Sequence, residues 1–375
     1  MLDCKAFYDV LTASGVDFFA GVPDSLLKDF CAFVTDNTPP ERNIITANEG
    51  GAVSLAAGHY LATGRPGLVY MQNSGLGNTV NPLTSLADPA VYGIPVLLVV
   101  GWRGEPGVKD EPQHVKMGAV TPDVLGAIDV PYVVLPDDLD GAKAAVADAL
   151  AAMERDQRPY ALVVKKGLFA KYKLINKTAS PYDMTREEAI SVIVDGLPAD
   201  ALVVSTTGKP SRELFELREQ RGQSHQTDFL TVGSMGHSSQ IALGVALDRR
   251  DRTVLCLDGD GAVIMHMGGL ATIGTSGARN YKHVVVNNGA HDSVGGQPTC
   301  AFAIDITKVA TACGYTGTWL ATNRAELDAA WPEFLAADGP VLLEVRVKIG
   351  ARDDLGRPTM TPQDLKHAFM GAIRG

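Results

Sequence analysis

The sequence predicts an α/β protein of two related domains, each a parallel sheet with helices on both faces. Three observations carry that expectation. Short apolar runs alternate with helix-sized stretches along the whole chain, as a parallel sheet with crossover helices requires. The plan runs through twice: DLDGAKAAVADALAAMERDQRPYALVVKKG closes one half and RAELDAAWPEFLAADGPVLLEVRVKIG the other, each a helix followed by a proline-led strand. The length, 375 residues, holds two to three domains at roughly 150 residues each, and the repeat selects two.

In the first half, strands are expected over 17–20, 43–47, 67–71, 95–100, 132–135 and 160–164. Each is a short apolar run of the kind that is buried on both faces of a sheet. Helices are expected between them over 24–36, 49–63, 78–87 and 137–155. The second half repeats this with strands over 201–205, 228–232, 253–258, 283–288, 318–321 and 341–347. Its helices fall over 211–220, 237–249, 262–275, 324–337 and 361–373. The polar stretch 166–183, with Asn176, Ser180 and Pro181, reads as the linker, so the domains are expected over 1–178 and 179–375.

Composition narrows the function classes. Apolar residues make up 46% and charged residues 20%, enough for two cores and too apolar for a disordered chain. The formal charge is −10 and no Lys/Arg block occurs, which argues against a nucleic-acid partner. An anionic substrate would need local cations. No apolar run approaches the roughly 18 residues that span a bilayer. The start, MLDCKAFYDV, lacks a secretory pattern. Five widely spaced cysteines with no CxxC pair fit reduced thiols in the cytoplasm, with neither a zinc site nor a disulfide frame.

The strongest local signal is TVLCLDGDGAVIMHMGGLATIGTSGARNYKHVVVNNGAH. An apolar strand runs into Gly259-Asp260-Gly261, a helix begins at Ala262, and a second strand ends in Asn287-Asn288. The glycines allow a ligand close to the backbone, and the helix start offers N–H groups to an anion. Asp260 and Asn288 fall at carboxyl ends of strands, where open parallel sheets bind ligands. Their oxygens suit Mg²⁺.

This Gly-Asp-Gly, with 25 residues before the Asn pair, resembles the diphosphate-and-metal motif of the thiamine diphosphate enzymes. The resemblance implies that Asp260, Asn288 and the carbonyl of Ala290 hold Mg²⁺ on the cofactor's diphosphate. It also gives a role to Glu49 in NIITANEGGAVSLAAGHY: a glutamate at such a strand end hydrogen-bonds the cofactor's pyrimidine and shares a proton with it. Met235, in Gly233-Ser234-Met235-Gly236-His237, matches the bulky residue that supports the two rings. Ser205-Thr206-Thr207-Gly208-Lys209 matches the other wall of the diphosphate site. The implied fold is a pair of thiamine diphosphate-binding domains, pyrimidine-binding first and diphosphate-binding second.

Most decarboxylases of that class carry a third domain between these two, and this chain has only a short linker. GVPDSLLK (21–28), DEPQH (110–114), STTGKPSRELFE (205–216) and NNGAHDSVGGQPT (287–299) resemble the compact branch, the phosphonopyruvate and sulfopyruvate decarboxylases. The implied reaction is decarboxylation of a small anionic 2-oxo acid, in phosphonate biosynthesis for the first of these. The family builds its site between chains, so the resemblance implies a homo-oligomer, at least a dimer.

A general acid must deliver the final proton. His114, His291, Asp24 and Asp292 are the candidates, with Ser25 beside Asp24. Ser25, Arg103, Lys109, Lys209, Arg212 and Gln297 are the candidates for the substrate's second anion.

Other classes fit less well. Gly75-Leu76-Gly77 could open a dinucleotide fingerprint, but Val80 stands where the third glycine belongs. Gly208-Lys209 runs into Pro210, so no P-loop is present. His291-Asp292-Ser293 are consecutive, and adjacent residues rarely make a triad. A binding subunit without chemistry would have no use for Glu49.

Overall fold

The computed structural model describes residues 1–177 and 179–374; Thr178, at the expected boundary, lies outside them. The chain divides into two compact units, Met1–Thr178 with Ser293–Gln297, and Ala179–Asp292 with Pro298–Gly375.

The first unit has strands β1 (Phe19–Gly21), β2 (Asn43–Ile45), β3 (Gly67–Gln72), β4 (Val96–Gly101), β5 (Tyr132–Val134) and β6 (Tyr160–Val164). They form a parallel sheet in the order β2-β1-β3-β4-β6-β5. The second unit has β7 (Leu202–Ser205), β8 (Asp228–Leu230), β9 (Val254–Gly259), β10 (Tyr281–Asn287), β11 (Gly317–Ala321) and β12 (Val341–Arg346). Its parallel order is β11-β12-β10-β9-β7-β8. Read from the opposite edge, that is the first order again, strand for strand. The repeat seen in sequence is therefore a repeat of topology.

In each sheet the second strand lies on one side of the first strand and the third on the other. The crevice between first and third strands is the topological switch point, where parallel sheets bind ligands at the carboxyl edge. In the first unit it opens between β1 and β3, and in the second between β7 and β9.

Around the first sheet lie α1 (Cys4–Ala13), α2 (Lys28–Asn37), α3 (Glu49–Thr63), α4 (Leu76–Ser85), α5 (Pro112–Ala127) and α6 (Leu139–Asp156). Around the second lie α7 (Arg186–Gly196), α8 (Lys209–Gln220), α9 (Ser238–Asp248), α10 (Asp260–Met265), α11 (Gly269–Gly274), α12 (Ile306–Ala312), α13 (Arg324–Ala336) and α14 (Pro362–Arg374). Side chains alternate between two cores because successive strand residues point to opposite faces. On β3, Leu68 and Tyr70 join Phe7, Phe30 and Val146, whereas Val69 and Met71 join Ala52, Ala56 and Leu83. On β9, Leu255 and Leu257 join Ile190, Leu214 and Phe334, whereas Val254 and Cys256 join Ala242, Ile273 and Ile306.

Three expectations are corrected. The helix expected from residue 24 starts at Lys28, because the Asp24 carboxylate accepts the Leu26 N–H (2.9 Å) and the Gln72 amide (2.6 Å) and ties its own stretch into a turn. The helix expected over 262–275 is two: α10 ends at Met265, where His266 leaves helical geometry, and α11 restarts at Gly269. The stretch 166–183 is no free linker in its first half: Leu168, Phe169 and Leu174 are buried, and Asp36 accepts the N–H groups of Ile175 and Asn176 at 2.8 Å each. Helices α1, α5, α7 and α12 were not expected.

No helix among the described residues is long and apolar enough to cross a membrane. All five cysteines are free.

Candidate active site

At the switch point of the second unit, β7 ends at Ser205 and β9 at Gly259. The loops that follow carry Thr206-Thr207-Gly208 and Asp260-Gly261. Thr206 is buried and its hydroxyl has no partner among the described residues, and the same holds for Ser205. Helix α8 begins after Gly208, which takes φ +100°, and no side chain caps its first N–H groups. Helix α9 follows Gly233-Ser234-Met235-Gly236 and is likewise uncapped by any side chain. Ser234 takes φ +51° and Gly236 φ +85°, so the chain turns sharply there. Orphaned hydroxyls and two open helix starts make a cradle suited to a phosphate-bearing group.

Asp260 opens α10 and is buried. Burial pushes its pKa up to about 6, partly offset by the Thr299 hydroxyl, which donates to Oδ2 at 2.5 Å, and by nearby backbone N–H groups including that of Asn288. A buried carboxylate with this much unrelieved desolvation suits a cation. The two asparagines separate by role. Asn287 donates its amide to Glu344 (2.8 Å) and accepts the Gly289 N–H (3.0 Å), so it holds β10 to β12. Among the described residues the Asn288 side chain accepts only the Ala290 N–H, at 3.2 Å, and its oxygen keeps a second lone pair. A Cβ placed on Gly261 would stand 3.3 Å from both Met235 Cε and His291 Cε1, so these two side chains flank the glycine. Burial pushes the His291 imidazole down to about 4. Asp292, next in sequence, pairs with Lys209 (3.1 Å).

In the first unit Glu49 opens α3 and is 5% exposed. The preceding Asn48 caps the helix by accepting the Gly51 N–H at 2.9 Å. Glu49 Oε2 accepts the Asn78 amide at 2.7 Å, and a Cβ on Gly75 would stand 2.4 Å from Oε1. Glycine at 75 is thus a condition for the carboxyl's position.

At the β1/β3 switch point sits Asp24, fully buried against Gln72. Burial, the largest influence, pushes its carboxyl up, against the Gln72 and Leu26 hydrogen bonds and the Arg103 charge. Arg103 donates to Ser25 at 2.7 Å. It also grips Asp110 through both Nε (2.8 Å) and its second guanidinium nitrogen, which holds the Asp110 carboxyl down to about 2. The sequence offered Arg103 as a binder of the substrate's anion. Here its charge is met by Asp110, and it acts on Ser25. His114 is buried nearby; burial first and the Arg103 charge second push it down to about 4.

Gln297 is fully buried, and neither end of its amide has a partner among the described residues. Among the described residues no side-chain contact joins Lys109, which is exposed, or Arg212 to either constellation. Sequence reasoning gave no site role to Gly75, Asn78, Asp110, Thr299 or Arg186, although Asp110 and Thr299 fall within the DEPQH and NNGAHDSVGGQPT stretches. The glycines of QNSGLGN were the one available signal for the first two, and they fit no dinucleotide pattern.

Residues 4–123 match the N-terminal TPP binding domain of thiamine pyrophosphate enzymes, and residues 206–345 match the C-terminal one. Fold and site define a thiamine diphosphate enzyme, the diphosphate and pyrophosphate names denoting one cofactor. The phosphonopyruvate decarboxylase of Streptomyces viridochromogenes is 41% identical over 97% of this chain and 93% of its own length. That of Streptomyces hygroscopicus is 38% identical over 96% and 91%. The sulfopyruvate decarboxylase of Methanosarcina acetivorans is 28% identical over 96% and 95%. The chain belongs to this family of thiamine diphosphate-dependent decarboxylases.

Proposed function

We propose that the protein decarboxylates 3-phosphonopyruvate to phosphonoacetaldehyde and carbon dioxide with thiamine diphosphate and Mg²⁺. The observation that carries the cofactor reading is the switch point of the second unit, where orphaned Thr206, two uncapped helix starts and buried Asp260 converge. The relatives' names support the substrate.

Asp260, the side-chain oxygen of Asn288 and the Ala290 carbonyl would hold the metal. Thr206, Thr207, Gly208, Gly233, Ser234, Gly259, Gly261 and Ala262 line the diphosphate, and Met235 gives apolar support beside Gly261. When bound, thiamine diphosphate supplies the carbon nucleophile and accommodates the electrons that carbon dioxide leaves behind. Glu49, whose carboxyl accepts the Asn78 amide at 2.7 Å, would share a proton with the pyrimidine nitrogen of a bound cofactor. Asp24 is one candidate for the final proton: it lies buried at the first switch point against Gln72, and burial pushes its carboxyl up. Gln297, with a buried unpartnered amide, serves the substrate's polar end. The protein works as a homo-oligomer with sites built between chains, in the cytoplasm, which its free cysteines suit.

The test is dialysis against a chelator. Carbon dioxide release from phosphonopyruvate should fall to background and return with Mg²⁺ and cofactor together. Metal-independent binding of thiamine diphosphate, at full affinity in Asp260→Ala, would overturn the assignment.

A further inference from the structure

We propose that Arg186 and Lys209 form a pocket for a tetrahedral phosphoryl or phosphonyl dianion, which Asp292 occupies as a displaceable internal anion. The proposal rests on the functional reading above and adds to it the second cation and the competing carboxylate.

Both cations converge on one oxygen: Asp292 Oδ2 lies 3.1 Å from Lys209 Nζ and 3.4 Å from an Arg186 guanidinium nitrogen. Arg186, at the start of α7, is 4% exposed. Its other two nitrogens grip Glu213 of α8 at 2.6 and 2.7 Å, and Glu213 is 1% exposed. The arginine is therefore a fixed charge with one edge left to face the loop after β10. Lys209 opens α8, whose first N–H groups have no side-chain cap, and the unpartnered buried Thr206 hydroxyl precedes it by three residues.

The two carboxylates on this pair of cations are unequal. Glu213 is locked on a helix by two short bonds. Asp292 lies outside helix and strand, reaches the cations at longer range, and has no other hydrogen bond among the described residues. It offers one charge on a planar group. A phosphoryl or phosphonyl dianion offers about two charges and three acceptor oxygens, which two cations and open N–H groups satisfy better. Displacing Asp292 also frees the residue beside His291, whose ring flanks Gly261.

The dianion can come from the substrate's phosphonate or from the cofactor's terminal phosphate, and the experiment separates them. Methylphosphonate is titrated calorimetrically, at one ionic strength, into cofactor-loaded and cofactor-free protein. Binding to both forms assigns the pocket to the substrate. Binding to the cofactor-free form alone, in competition with thiamine diphosphate, assigns it to the cofactor. In either arm Asp292→Asn should bind methylphosphonate about tenfold more tightly, because the internal competitor has lost its charge, and Lys209→Met about tenfold more weakly. Asp292→Ser should follow the Asn variant, and Asp292→Glu should restore weak binding. Unchanged or weaker binding in both uncharged Asp292 variants overturns the proposal, as does full affinity in Lys209→Met. These readouts need no turnover. A protein that binds as expected but does not decarboxylate phosphonopyruvate defeats the functional reading alone.

Discussion

Glu49 and Gly75 belong together at the scale of single residues. Glu49→Gln keeps the shape of the side chain and loses the proton. Its turnover should fall by about 10² to 10⁴, the usual worth of a placed acid or base, with the fold and much of the cofactor affinity retained. Gly75→Ala should imitate it. The backbone at 75 takes φ −75°, which alanine adopts freely, so the whole effect comes from a Cβ that would stand 2.4 Å from the Glu49 carboxyl. Steady-state rates, with melting temperature as the control, check both. A Gly75→Ala enzyme of wild-type rate would show that the carboxyl's position does not matter. Glu49 was legible because its motif is contiguous. Gly75 was not, since its constraint comes from a residue on another helix.

Asp260 gives a prediction in pH. Its pKa in the folded, metal-free protein is raised from 3.8 to about 6, so folding favours the protonated form. Below the unfolded value the group costs nothing. As pH rises toward and past 6 the folded protein must bury an anion, at a cost on the order of 3 kcal/mol. Metal-free Asp260→Asn should therefore melt above the metal-free wild type at pH 7.5, and the gap should shrink by about half at pH 5. Mg²⁺ with thiamine diphosphate should stabilise the wild type and leave the variant nearly unmoved. A variant less stable than wild type at both pH values would contradict the account.

At the scale of elements, α7 shows what pattern reading lacks. It carries a capping box, Thr185 with Glu188, yet its apolar residues are not confined to one stripe, and it begins beside the stretch read as a linker. Its first residue, Arg186, is buried by a partner on α8, a tertiary fact no local window contains. The two features should differ in cost. Thr185→Ala removes a cap worth about 1 kcal/mol. Glu213→Ala strands the buried Arg186 charge and should cost roughly 3 to 5 kcal/mol. Denaturant unfolding of the two variants compares them; equal costs would mean the buried pair is replaceable. Helix α5 escaped notice for a different reason. Pro112 stands at its start and Pro122 inside it, and prolines read as breaks. The single helix expected over 262–275 is interrupted at 266–268, and the Gly268-Gly269 pair at its restart is the signal the sequence holds for it.

At the scale of the molecule, the strand order was not readable, but the repeat was, and it made two domains of one design. The carboxyl edges of both sheets were legible as well: Asp24, Glu49, Asp260 and Asn288 all follow apolar strands. What escaped is how charges are shared out after folding. Arg103 looks like a free cation in sequence and is matched by Asp110 in the fold. In a chain of net charge −10, that leaves few sites where a dianion can settle. Selectivity should follow from this scarcity, because pyruvate lacks the second anion and forfeits the remote binding energy that lowers the barrier. The direct test is kcat/KM for phosphonopyruvate, sulfopyruvate and pyruvate at one ionic strength. The account predicts phosphonopyruvate first, sulfopyruvate weaker and pyruvate weakest; equal values for pyruvate and phosphonopyruvate would contradict it, and a clear preference for sulfopyruvate would contradict the phosphonate assignment.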